Sequence, residues 1–213
     1  MGRRCERTLA GSRPCLFGGL MLGAVLLVTA CAGAPRQFMV PDGALTGHPR
    51  VALLPLENLT ETPEHGVLVM NIFFAELVRT GVFDLVEMGE VENALRELRI
   101  RKTGSLSTEQ VRRLAEKLGA RHLMLGTILE AGTVTTPDGP VPSLAVALRL
   151  LDGTDARVVW ANVHIRTGED HERMFGWGRE DDFEQLALAT ASEMFQQLRK
   201  TTTAAESQAR KAK

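Results

Sequence analysis

The sequence predicts an α/β protein in which helices pack over a mixed sheet. Three observations predict it. Short, continuously apolar runs alternate with stretches of helical periodicity through the first two thirds of the chain. Closely spaced period-two runs follow, as an antiparallel hairpin or meander gives. A final helical row (Phe183, Leu186, Ala187, Thr190 or Ala191, Met194, Leu198) completes the order β-α-β-α-α-β-β-β-α.

Structure is expected to start at Arg50. Val51-Ala52-Leu53-Leu54-Pro55-Leu56 is a short apolar run bounded by prolines, which suits a buried strand, and Glu57-Asn58-Leu59-Thr60 turns the chain. Asn58 and Thr60 are expected to hydrogen-bond within that turn. Residues 64–79 read as a helix. Val69, Phe73 and Leu77 form one i,i+4 row, and Leu68, Met70, Ile72, Phe74 and Val78 fill others. An apolar surface that nearly encircles a helix is covered on more than one side. Either the helix lies deep under a second layer or another subunit covers part of it, which makes Phe73 and Phe74 candidate interface residues. Gly81 stops it, Val82 to Glu87 is a second strand, and residues 90–101 return to helical spacing. Ser107 and Gln110 match a capping box, Val111, Leu114, Ala115 and Leu118 form the stripe behind it, and Gly119 ends that helix.

His122 to Leu129 is a third strand, and residues 131–142, holding Gly132, Pro137, Asp138, Gly139, Pro140 and Pro142, read as a loop. Leu144, Val146, Leu148 and Leu150 alternate with Ala145, Ala147 and Arg149. After the turn Asp152-Gly153-Thr154-Asp155, Val159, Ala161, Val163 and Ile165 alternate with Trp160, Asn162, His164 and Arg166, and His164 is expected to face solvent. Residues 167–180 are polar and glycine-rich around Phe175-Gly176-Trp177-Gly178, where Trp177 suits an interface or a packing contact over the last helix. Asp181-Asp182 can cap that helix, and residues 199–213 are expected to be a disordered basic tail.

The N-terminus resembles a bacterial lipoprotein leader. Arg3, Arg4, Arg7 and Arg13 precede an apolar run from Leu16 to Val28 that is too short for a membrane span. Val28-Thr29-Ala30-Cys31 resembles a lipobox. That resemblance implies removal of residues 1–30 and a diacylglycerol and an N-acyl chain on Cys31, each buried methylene contributing about 0.8 kcal/mol of anchoring. Ala32 after the cysteine implies an outer-membrane, periplasm-facing location. The competing reading is a secretory cut at Ala32-Gly33-Ala34, which discards Cys31. Residues 31–49, with Pro35, Pro41 and Pro49, read as a tether to a domain over residues 50–198.

Hydrophobic residues make up 44% of the 213, enough for a core. The leader carries four arginines and one glutamate, so its loss takes the net charge from -1 to -4 and leaves no electrostatic case for nucleic acid. Cys5 and Cys15 lie in the leader, so the mature chain has neither a disulfide nor a cysteine metal site.

Val51 to Thr60 resembles the opening strand of the CsgG-like lipoproteins. Gly81 to Glu87, Ala115 to Gly126 with Leu118-Gly119-Ala120, and Leu148 to Trp160 with Leu150-Leu151-Asp152 fit the same family in order. The resemblance implies a TolB N-terminal-like fold, an anticodon-binding-like sandwich of two or three layers, and relatives among the curli secretion channel and penicillin-binding-protein activators. No insert here supplies the membrane hairpins of that channel.

The sequence brings together no catalytic motif. Histidines 48, 65, 122, 164 and 171 lack metal-ligand spacing, G-x-S-x-G and the P-loop are absent, and no cofactor is expected. The expectation is a non-enzymatic lipoprotein of the envelope. It would act in assembly or secretion by self-association or by docking on a protein partner. An activator binding a peptidoglycan synthase and a soluble ligand-binding module are the alternatives.

Overall fold

The structure is a computed structural model that describes residues 37–40, 45–170 and 180–211. Cys31 and Trp177 lie outside them. The described strands are β1 (Gln37–Met39), β2 (Arg50–Leu53), β3 (Glu57–Asn58), β4 (Asp84–Leu85), β5 (His122–Thr136), β6 (Gly139–Asp152) and β7 (Val158–Thr167). They form one mixed sheet in the order β1-β7-β6-β5-β2-β4, with β3 also beside β5. β2 runs parallel to β4 and β5, whereas β1, β5, β6 and β7 pair antiparallel.

The helices are α1 (Pro63–Thr80), α2 (Met88–Glu97), α3 (Thr108–Leu118) and α4 (Phe183–Lys211). α1 begins on Pro63, whose missing N–H costs nothing in a first turn, and ends on Gly81 at φ 63°. The capping box before α3 is present: Ser107 Oγ accepts from the Gln110 amide at 3.2 Å and Gln110 Oε1 accepts from the Ser107 amide at 2.9 Å. Asn58 Oδ1 accepts from the amide and hydroxyl of Thr60, 3.0 and 2.8 Å away, as the turn reading expects.

After Arg50, β2 is apolar because both its faces are covered. Val51 and Leu53 join a core with α1, α4 and Trp160, while Ala52 and Leu54 join a second core with α2 and α3. The result is a three-layer α/β arrangement on the β2 side of the sheet.

Three boundaries differ from the sequence reading. Part of the 31–49 tether is structured: Gln37–Met39 pairs with Asn162–Trp160 and Leu45 is buried. The supposed loop 131–142 is the far end of a long β5–β6 hairpin that turns at Pro137-Asp138. Its prolines sit on an outer edge, where no ladder donor is required. The last helix does not stop at Arg199 but runs to Lys211. The hydroxyls of Thr201, Thr202 and Thr203 satisfy the carbonyls of Gln197, Leu198 and Arg199 one turn back, at 2.5, 2.9 and 2.9 Å.

The β6–β7 turn sets one pH dependence. Burial alone would push the Asp152 carboxyl up, but the hydroxyl and amide of Thr154, with His122 and Arg121 nearby, hold it below the usual carboxylate range. A depressed folded-state pKa means the stabilisation is complete above about pH 4 and is lost as pH falls through the folded value. Urea midpoints should therefore show Asp152→Asn less stable than the parent at pH 6, with the gap narrowing as pH falls below about 4. A constant gap would contradict this.

Candidate functional site

The most unusual feature of the fold is the orientation of β7. Trp160, Asn162, His164 and Arg166 point toward α4, and the alternate residues Ala161, Val163 and Ile165 point away from it. Trp160 is fully buried, and Asn162 and Arg166 are only 3% and 4% exposed. Val163 and Ile165 are 44% and 60% exposed. The expectation that His164 faces solvent is thus corrected. Alternation sets the period of a strand but not which face turns inward.

The inward polar row is matched rung by rung. Arg166 donates from Nε and Nη2 to the two carboxylate oxygens of Glu180, at 3.2 and 2.8 Å, and from Nη1 to Glu193. His164 Nε2 lies 3.1 Å from Glu193 Oε2. Asn162 Nδ2 donates to Gln197 Oε1 at 3.2 Å. Gln37 on β1 donates from Nε2 to Thr201 Oγ1 at 3.0 Å. The partners Glu193, Gln197 and Thr201 are i,i+4 on α4. Four helical residues rise about 6.0 Å and two strand residues about 6.8 Å, so His164 and Asn162 stay in step with Glu193 and Gln197, and Gln37, opposite Asn162 on the neighbouring strand, meets Thr201 one turn further on.

The outward row is left apolar. Ile165 lies opposite Ala145 and Val163 opposite Ala147 on β6, while Phe38 on β1, 54% exposed, lies opposite Ala161. The small alanines make a flat floor between β-branched ridges. α2 and α3 lie on this same face but pack over β2 and β5, at the other end of the sheet. An apolar sheet face of this kind is the ordinary signature of a protein docking surface.

Phe73, read as a candidate interface residue, is wholly within the chain's own core. It meets Phe195 edge-on, with ring centroids 5.7 Å apart and planes at 77°. Phe74 is half-buried against the same core. α1 nonetheless keeps Val67 and Val78 exposed at 65% and 52%. Among the described residues no group of three or more His, Cys, Asp or Glu side chains is placed to hold a metal ion, and no helix is long and apolar enough to cross a membrane.

Residues 34–164 match the model of the family described as peptidoglycan-synthase activator LpoB. The chain belongs to that family. The penicillin-binding-protein activator relatives expected from the sequence are thereby supported, whereas nothing in these comparisons supports the CsgG-like, curli or secretion associations. No curated protein matches the chain. Among solved structures it is similar to lipoprotein GNA1162 from Neisseria meningitidis, at 15% identity over 70% of this chain and 97% of that one, with a TM-score of 0.52. It is also similar to the hypothetical protein CT253 from Chlamydia trachomatis, at 16% identity over 74% and 99%, with a TM-score of 0.52. The PelC dodecamer from Paraburkholderia phytofirmans is 24% identical over 74% of this chain and 91% of that one, with a TM-score of 0.49. The first two likenesses show the fold alone.

Proposed function

We propose that the protein is a lipid-anchored activator that docks onto a peptidoglycan synthase through the apolar face built by β7, β6 and β1. The observation that carries this is the family match over residues 34–164. The open face of Phe38, Val163 and Ile165 supports it, since an activator works by contact and needs an unfilled surface. The lipobox-like Val28-Thr29-Ala30-Cys31 supports anchoring at Cys31 in the outer membrane, facing the periplasm, with the residues between Cys31 and β1 as the connection. Trp177 is a second candidate contact.

The test is the rate of glycan polymerisation by a purified peptidoglycan synthase from the same bacterium, with and without the mature lipoprotein. The expected result is stimulation that saturates with lipoprotein concentration. Absence of stimulation, or a closed oligomer of the chain that excludes the synthase, would overturn the reading.

A further inference from the structure

We propose that the outer edge of β5 around Thr133 and Thr135 takes up an extended, positively charged segment of a partner protein, which adds to the sheet as a further strand. The hairpin closes at Thr136↔Gly139 across a two-residue turn. In that geometry the closing pair and every second pair beyond it exchange their backbone hydrogen bonds, and the pairs between point outward. Thr136↔Gly139 and Val134↔Val141 therefore face inward, and Thr135↔Pro140 and Thr133↔Pro142 face outward. Two contacts agree with this sense: the Pro142 carbonyl accepts from the Gly168 amide at 2.9 Å, and the Ala131 carbonyl lies 3.3 Å from His65 Nδ1.

The two edges of this ribbon are unequal. On β6 both outward positions are prolines, without an N–H, and the Pro142 carbonyl is already engaged. Prolines on an edge are a standard guard against strand addition. On β5 the outward positions are exposed, β-branched threonines, each directing an N–H and a C=O away from the hairpin. β3 pairs with β5 only at Thr127 and Ile128 and leaves after the Leu59 amide donates to the Ile128 carbonyl at 3.0 Å. His65 of α1, stacked on Phe183, meets the Ala131 carbonyl beyond it, so the edge open to an incoming strand runs from Thr133 to the hairpin tip.

Charge selects the occupant. The charged residues that flank the edge in sequence, Glu130 and Asp138, are both acidic. A second copy paired edge to edge would place like charges together, whereas a segment flanked by lysine or arginine would neutralise them.

The probe is a seven-residue peptide of alternating Thr and Val with Lys at each end, added to the full chain. In the free protein the Thr133 and Thr135 amides should exchange with solvent at least about tenfold faster than that of Val134. The peptide should slow both by about tenfold or more, and a peptide N-methylated at alternate residues should not. The double variant Thr133→Pro, Thr135→Pro removes only outward donors, so it should keep the far-UV spectrum of the parent and bind the peptide at least about tenfold more weakly. Slow exchange at Thr133 and Thr135 in the free chain would overturn the proposal. So would protection that rises with protein concentration alone, no protection at millimolar peptide, or equal binding of the N-methylated peptide. No synthase enters the experiment, so its failure leaves the function proposed above standing.

Discussion

Replacing Val163 and Ile165 together by aspartate should abolish stimulation of the synthase while leaving the fold intact. Both side chains point away from the cores that hold the sheet, and they are 44% and 60% exposed. A charge at either position stays in water in the free protein and costs little there. In the complex it would be carried into an apolar contact with no counter-ion, which is expensive. Truncating a central interface residue costs about 2 kcal/mol or more, so each substitution should weaken binding by tenfold or more. Circular dichroism and the melting temperature should match the parent. The same double substitution on α1, Val67→Asp with Val78→Asp, serves as the comparison: those residues are also exposed but belong to another face, so stimulation should persist.

Arg166→Ala should unfold the protein far more readily than either surface variant. The guanidinium is 4% exposed and joins Glu180 and Glu193, themselves partly covered. Removing it strips the Glu180 carboxylate of its cation and leaves Glu193 with only the His164 ring beside it. Breaking a buried pair by deleting one partner costs about 3–5 kcal/mol, a large part of the stability of a domain this size. The loss should be smaller when Glu180 and Glu193 are changed to glutamine in the same chain, because no uncompensated charge then remains. Urea titrations of the single and triple variants measure this coupling directly. A triple variant no more stable than Arg166→Ala would show that packing, not charge, holds this corner.

The two variants read opposite sides of one strand, and that strand shows where sequence reasoning stops. Its period-two pattern was plain, as were the capping box at Ser107 and Gln110 and the helix-ending glycines 81 and 119, because each depends on neighbours a few residues apart. Which face of β7 turns inward depends on Trp160 and on Glu193 and Gln197 of α4, spaced to receive it about 30 residues downstream. The solvent-facing expectation for His164 fails because Glu193 receives its ring on the inward face. The hairpin arm failed for a related reason. Gly132, Pro137, Pro140 and Pro142 read as a loop when every backbone donor is assumed to be needed, yet Pro140 and Pro142 occupy positions whose donors would point away from the ladder. The last helix runs past Arg199 through threonines that are poor helix formers in isolation; their hydroxyls bond back to the preceding turn and Thr202 is buried, a tertiary placement that local propensity does not show. At the candidate site, the aromatic pair of α1 drew attention through size, but Phe73 is consumed by the core, and the exposed ridge is made of smaller residues.

The most direct measurement places a photo-crosslinking amino acid at position 163 of the mature lipoprotein and, separately, at position 67 on α1, and irradiates each with the purified synthase. A crosslink to the synthase from position 163 and not from position 67 is the predicted result. A crosslink from position 67 alone, or from position 163 only to a second copy of this chain, would contradict the assignment of the β7 face as the surface that engages the enzyme.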